Sequence, residues 1–538
     1  TIFSPVLRLA DCPRSGSRAN THPVKQPLSP YMLRSALLTH LLLSAASLAS
    51  SFLPTPTPLP ALSRTLTRHS LRVPARTPRT LAPCASPTLP PARPRTGACA
   101  MAASSAGGSA YGLGFDFGTS GARINVVDGG SLDVVHTAER PYSEQTAETW
   151  DAAMDALIET IPADVRARIG RVCVSGTSAT VLLVDSATRR VTRGPRMYDF
   201  SVSDALCGAE AMAKIEGAAP KGHTTRSATS TLAKVLSWGL EKPLEGGERV
   251  CHQADYLASR LLPTNAPFSS DWNNVLKLGY DVADVCYPEW LASLLTANGV
   301  DPASLPRVVP PGGVMGGVSA EAAARYGFPE TCEVVGGTTD SIAAFIAARA
   351  SKPGQAVTSL GSTVAIKLLS EVRVDDSAYG VYSHRLGDLW LVGGASNVGC
   401  AVLRQQGFSS DEIASLSEKI DPSSAPKDGI RYYPLTKKGE RFPVCDPKKE
   451  PVLEPVPESR QDFLHGLLYG ISEVERDGFK VLAEMGATKV TEVLTAGGGS
   501  VNPMWRDMRA QMLAVPVARA ANSDAAFGVA LLALGKHV

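Results

Sequence analysis

"YGLGFDFGTSGARINVVD", residues 111–128, sets one acid, Asp116, among apolar residues and then bends the chain through Gly118, Thr119, Ser120 and Gly121. Leu113, Phe115 and Phe117 alternate before the bend, and Ile124, Val126 and Val127 follow it. That is the period of strand, turn, strand. Gly118 and Gly121 would supply positive φ and leave space for a ligand. Backbone N–H groups could then converge on an anion, with the Thr119 and Ser120 hydroxyls adding donors. Asp116 would lie beside that anion, and a carboxylate next to a phosphate makes sense with a divalent cation between them. An ordinary hairpin with a glycine-rich turn accounts for the same residues.

The device recurs. "AVTSLGSTVAIKLLS", residues 356–370, is again strand, small polar turn, strand, with Gly361, Ser362 and Thr363 at the bend. Two such hairpins suggest two related α/β domains, 111–350 and 351–538, facing one nucleotide triphosphate. No GxxxxGK[ST] loop occurs and no GxGxxG opens a βαβ unit, so neither a P-loop nor a dinucleotide fold is indicated.

In "CEVVGGTTDSIAAFIAA", residues 332–348, Val334 and Val335 read as the end of a strand, Gly336–Gly337 as a tight turn, and Asp340 as part of the first turn of a helix. An acid there satisfies orphan N–H groups and suits the helix dipole. Near the end, "VLTAGGGSVNPMWRDMRAQMLAVPV" reads as strand, glycine-rich turn, helix, strand. Gly498 and Gly499 offer a flat surface for an adenine ring, and Asn502 can bond base or ribose. Trp150, Met154, Leu157, Ile158 and Ile161 recur at helical spacing, a core helix. The Pro-rich stretch from Thr436 to Asp462 reads as a surface loop.

Of 53 basic and 51 acidic residues, twelve and one fall in 1–110. That leaves 41 and 50, a net charge near −9, for the body. An acidic body argues against nucleic-acid binding. Its seven scattered cysteines form no CxxC pair, hence no zinc site or disulfide framework is expected. Residues 1–110 read as a disordered presequence. An apolar run after Met32 and small residues near Ala46–Ser51 have the layout of a signal peptide, and an acid-free Arg-, Pro- and Ser-rich stretch follows. The two parts resemble the plastid presequence of algae with complex plastids. Mitochondrion and cytosol are the alternatives, and no membrane anchor is expected in the mature protein.

"FDFGTSGAR" resembles the first phosphate motif of the FGGY carbohydrate kinases, of the actin-like ATPase superfamily. The resemblance runs in order through "VCVSGTSATVLLVD", "PRMYDF", "STLAKVLSW", "HQADYLASRLL", "SDWNNVLKLGYDV", "VVGGTTDSIAAF", "HGLLYGISE" and "LTAGGGSVNPMWRDMRAQML". It implies two actin-like (ribonuclease H-like) domains with a catalytic cleft between them, binding a sugar and Mg-ATP. By resemblance, Asp340 is the general base that takes the sugar hydroxyl's proton. Asp116 holds Mg²⁺ and touches sugar hydroxyls, as do Ser120 and Gly121. Thr119, Gly361, Ser362 and Thr363 meet phosphates, and Gly498, Gly499 and Asn502 the adenosine. Ser178 lies where many xylulose kinases carry a Gln-Met-His-Gly type loop and is a candidate sugar contact, or simply part of a polar loop. The combination of "DFGTSGAR" and "GTSATVLL" resembles the plant and cyanobacterial subgroup associated with D-ribulose phosphorylation. D-Xylulose is the alternative sugar, and the missing Asn-Gln-Arg segment argues against glycerol. A nucleotide-binding or ATP-hydrolysing protein of the same architecture is the alternative class.

Overall fold

The computed structural model describes residues 110–537. The presequence expected at 1–110 lies outside the described residues but for Ala110.

The opening stretch is a β-hairpin, as its alternation predicts. β1 (Tyr111–Phe117) and β2 (Gly121–Asp128) pair antiparallel with Phe117 opposite Ala122. With β3 (Val134–Pro141), β4 (Ile169–Gly176), β5 (Val314–Gly317) and β6 (Glu333–Thr339) they form a sheet in the order β5-β6-β4-β1-β2-β3. β4 pairs parallel with both β1 and β6. A second sheet contains β7 (Gln355–Leu360), β8 (Val364–Ser370), β9 (Tyr382–Leu386), β10 (Leu389–Ala395), β11 (Glu492–Ala496) and β12 (Val517–Arg519), ordered β9-β10-β8-β7-β11-β12. Setting β5 and β9 aside, the two sheets are the same object. Three antiparallel strands run in chain order, and the first of them is flanked on its other side by two parallel strands. The repeated hairpin is thus the first two strands of a repeated sheet.

Helix α1 (Ala147–Thr160) covers one face of the first sheet. Thr146 caps it by accepting the Thr149 N–H, and Trp150, Met154, Leu157 and Ile158 join Leu113, Phe115 and Phe117 in the core. Between β4 and β6 the chain builds a smaller body, a three-stranded sheet (Val191–Arg196, Val181–Asp185, Glu248–His252) packed on α2 (Thr231–Glu241).

The glycines of "YGLGF" serve packing. Among the later helices are α3 (Asp340–Ala347), α4 (Arg460–Glu484), α5 (Pro503–Leu513) and α6 (Ala525–Ala533). α6 packs on β1 and α3 of the first sheet. A Cβ at Gly114 would sit 2.2 Å from the Ala526 carbonyl oxygen, and one at Gly528 1.9 Å from that of Ala343. α6 is small and apolar on every side (Ala526, Gly528, Val529, Ala530) because both its faces are buried.

In the second sheet, Arg509 of α5 and Glu475 of α4 form a fully buried pair (2.6 and 2.7 Å). Arg509 also reaches Thr495 on β11 at 2.8 Å, and Glu475 accepts from Thr358 on β7. A doubly bonded pair with its remaining valences met is the geometry in which buried charge is tolerated.

Residues 436–462 are not merely a surface loop. Glu440 is buried and accepts from Ser396 Oγ (2.6 Å), Asn397 N (2.7 Å) and Tyr433 OH (3.0 Å). Phe442 fills the space left by Gly394 and Gly478. Single anchors of this kind carry no periodicity, so composition alone hid them.

Candidate active site

The β1–β2 turn is closed by the Gly118 N–H donating to Gly121 O (3.0 Å). It is braced by Tyr142 OH on Gly118 O (2.6 Å) and by the Gln145 amide on Thr119 O. Neither Gly118 nor Gly121 takes positive φ, contrary to the sequence expectation. Gly121 is required for space, since a Cβ there would lie 2.8 Å from Arg140 O on β3. Thr119 and Ser120 stand exposed at the tip.

Asp116, one residue short of the end of β1, faces Ser175 on β4 and is 6% exposed. Ser175 Oγ donates to Asp116 Oδ1 at 2.8 Å. Burial pushes the Asp116 carboxyl up to about 6; the Ser175 bond opposes this, and the charges of Asp340 and Asp524 add to it. Asp116 and Asp340 therefore share one electrostatic field.

Gly336 and Gly337 do not form a turn. β6 runs through them to Thr339, and α3 begins directly at Asp340. The ladder to β4 shifts register there, and a Cβ at Gly337 would meet Val174 O at 1.9 Å. The pair of glycines makes a bulge that lets β6 lie against β4. Asp340 is the first residue of α3, and its Oδ1 accepts from the Ser341 N–H at 2.5 Å. The helix N-terminus acts on its ionisation through that N–H. Burial raises the Asp340 carboxyl, opposed by the Ser341 N–H and then by the ammonium groups of Lys367 and Lys277.

Lys367 arrives from the other sheet. It lies on β8, the strand leaving the second hairpin, and its Nζ donates to Ser341 O at 2.6 Å. Burial lowers it to about 8, with Asp340 opposing. Ser341, Lys367, Tyr382 and His384 line a cavity of about 120 Å³ here. Sequence reasoning missed Lys367. The signal was one lysine in an otherwise apolar strand, "VAIKLLS".

The second hairpin meets the glycine-rich turn. Gly361 N donates to Thr363 O (3.2 Å), and Ser362 and Thr363 are exposed. Arg404 Nη2 donates to Ser362 Oγ at 2.9 Å, a second cation not anticipated. Gly497 takes φ 81°, with its Cβ position 2.8 Å from Leu360 O, so Gly498 and Gly499 follow directly beside the hairpin. Asn502 is engaged within the fold. Its Oδ1 caps α5 at Trp505 N (3.0 Å), and its Nδ2 donates to Ser417 Oγ (2.8 Å). Trp505 is buried with its indole N–H on Ser472.

Ser178 sits partly exposed on the loop after β4. Lys234 of α2 pins that loop. Its fully buried Nζ donates to Ala179 O (2.9 Å) and to Met197 O (2.6 Å), drawing together "GTSAT" and "PRMYDF".

A magnesium ion fits Asp116 in kind. One carboxylate oxygen is held by Ser175 and the other makes no hydrogen bond among the described residues, the state of a lone carboxylate that completes a phosphate-bound Mg²⁺. No cluster of three or more His, Cys, Asp or Glu occurs among the described residues, so no all-protein metal cage exists there. No described helix is long and apolar enough to cross a membrane.

The repeated sheet is that of the two-domain actin-like ATPase fold seen in solved structures of sugar kinases. Residues 356–535 match the C-terminal domain of the FGGY family of carbohydrate kinases. Gluconokinase of Bacillus subtilis (strain 168) is 26% identical over 251 residues, covering 41% of this chain. The match spans about half, 46%, of that relative's own length. Xylulose kinase of the same organism is 23% identical over 450 residues, 78% of this chain and 87% of that one. The crystal structure of a xyloylose (xylulose) kinase from Brucella ovis superposes with a TM-score of 0.67 at 24% identity, covering 79% of this chain and 90% of that one.

Proposed function

We propose that this chain transfers the γ-phosphoryl group of ATP to a hydroxyl of a ketopentose, with D-ribulose as the substrate and D-ribulose 5-phosphate as the product. One observation carries the reading: Asp116 and Asp340, about 220 residues apart in sequence, stand at the ends of β1 and β6 on either side of β4, near enough for the charge of Asp340 to act on Asp116, and an exposed Gly-Thr-Ser turn follows Asp116.

Asp340 accepts the proton of the attacking hydroxyl as that oxygen approaches phosphorus. Lys367 and Lys277 hold its carboxyl closer to the ionised form than burial alone would. Asp116 would hold Mg²⁺, whose charge, when bound, offsets that developing on the β- and γ-phosphates. The exposed hydroxyls of Thr119, Ser362 and Thr363 and the N–H groups of the two hairpin turns bind phosphate oxygens. Gly498 and Gly499 carry the adenosine, and Asn502 acts by fixing their turn rather than by touching the base. Ser120, Gly121 and Ser178 border the sugar. Residues 111–350 would act as the sugar-side domain and 351–538 as the nucleotide side. Lys367 of the second sheet bonding at the head of α3 couples closure to completion of the base, and closure excludes water as a competing acceptor.

D-Xylulose is the second reading, supported by the length of the match to a xylulose kinase. The test is ADP release with Mg-ATP and a panel of D-ribulose, D-xylulose, D-gluconate and glycerol. Sugar-independent release would replace the kinase reading by that of an ATPase. The composition of residues 1–110 supports delivery to a plastid, tested by fusing them to a fluorescent reporter in an alga with complex plastids.

A further inference from the structure

Lys277 is a half-buried cation with no hydrogen-bond or ion-pair partner among the described residues; its one contact is with the Tyr382 ring, 5.6 Å from the ring centroid. Its charge acts on Lys234 and Lys367, both cationic, and on His384, and the one acid it acts on among the described residues is Asp340. A partly desolvated ammonium in a field of like charge is stabilised by an incoming electron-rich oxygen.

Lys277 also lines a cavity of about 480 Å³, within the roughly 300–1,000 Å³ range of small-molecule sites. One wall is His223, Thr224, Ser227 and Thr229 from the smaller body of the first lobe. The other is Ser377 and Tyr382 from the second lobe. The lining is hydroxyl-rich. Arg226, also on this wall, is spent on the carbonyls of Glu216, Ala219 and Pro220, which leaves Lys277 as the free charge of the lining among the described residues. Gly380 and Tyr382 belong both to this cavity and to the small one at Ser341 and Lys367, so the two adjoin. An open-chain sugar with its reacting hydroxyl at Asp340 would extend its far end past Tyr382 toward Lys277.

We propose that this cavity is the recognition subsite for the oxidised end of the sugar, with Lys277 donating to a ketone or carboxylate oxygen remote from the phosphorylated hydroxyl. The proposal rests on the kinase reading for the location of the reacting hydroxyl. The two possible sources of that oxygen are a ketose and an aldonate, and a pentitol, having neither, is the control.

The experiment compares the unaltered protein with Lys277→Met and Lys277→Arg on D-ribulose, D-gluconate and ribitol. It reads steady-state ADP release at saturating Mg-ATP, and sugar-induced thermal shift without nucleotide. The expected result is a KM for the preferred oxidised sugar about tenfold or more higher in Lys277→Met, with kcat changed far less and partial recovery in Lys277→Arg. The KM for ribitol should be unchanged, as should the ATP KM, and any loss of kcat that comes through Asp340 should be common to the oxidised sugar and ribitol. Which of D-ribulose and D-gluconate loses affinity identifies the source. An unchanged sugar KM and thermal shift would overturn the proposal. So would a fall in kcat at constant KM for the oxidised sugar and ribitol alike, which would confine Lys277 to its effect on Asp340. If no sugar is turned over, the kinase reading fails by itself, and the thermal shift still decides whether Lys277 holds an oxidised sugar end.

Discussion

Replacing Asp116 with Asn should make the protein more stable at neutral pH, and the structure sets the size of the gain. The Asp116 carboxyl is raised from 3.8 to about 6. At ~1.36 kcal/mol per pKa unit this is a cost of about 3 kcal/mol for holding the charge in the folded state. Below pH ~4 the group is protonated in both folded and unfolded chains and costs nothing. As pH rises toward about 6 the unfolded chain releases the proton more readily than the folded one, so stability is lost across that window and stays lost above it. Asparagine keeps the shape and can still accept from Ser175 Oγ, but carries no charge. Urea unfolding followed by circular dichroism at pH 7.5 and at pH 4.5 reads the effect. Asp116→Asn should exceed the unaltered protein by up to about 3 kcal/mol at the higher pH, and the gap should narrow to about 1 kcal/mol at the lower. Mg-nucleotide should stabilise the unaltered protein more than the variant. A variant no more stable at pH 7.5, or a gap independent of pH, would refute the placement of Asp116 as a buried acid charged for function at the expense of stability.

Asp340→Asn should lower kcat by roughly 10²–10⁴ while nucleotide binding by calorimetry persists; full activity would remove Asp340 as base. Lys367→Met removes a cation that opposes the upward push on Asp340, so the acidic limb of the kcat–pH profile should move to higher pH, with Lys367→Arg nearer the unaltered profile. Arg509→Met leaves Glu475 buried and unpaired and should cost about 3–5 kcal/mol in chemical unfolding, whereas an exposed pair such as Lys480–Glu484 should cost almost nothing. Gly114→Ala forces β1 and α6 apart, since the new Cβ would meet Ala526 O at 2.2 Å. A loss of about 1–3 kcal/mol or more, seen as a lowered Tm, is expected.

Both hairpins were legible because strand alternation and turn chemistry are local: "GTSG" and "GST" bend the chain wherever they occur between alternating apolar residues. The start of α3 at Asp340 and the core face of α1 were legible for the same reason. The sequence misled where glycine had several possible uses. Gly118 and Gly121 read as positive-φ positions and Gly336–Gly337 as a turn, but what Gly121 and Gly337 need is room for a neighbouring strand, and the neighbour is known only in the folded chain. Asn502 showed its type but not its task, since an amide that can bond a base can equally cap a helix.

By itself, then, the order of residues determined that two phosphate-style bends and two acids would be built, because each needs only its own neighbours. Tertiary structure alone decided that Asp116 would be pushed up by burial with the charge of Asp340 adding to it, that Lys367 would cross from the second sheet to the head of α3, that α6 would return to β1, and that Lys277 would face a cavity without a partner among the described residues. Those outcomes depend on distances between groups tens to hundreds of residues apart. Charge and close packing act through space, and no pattern along the chain encodes a separation through space.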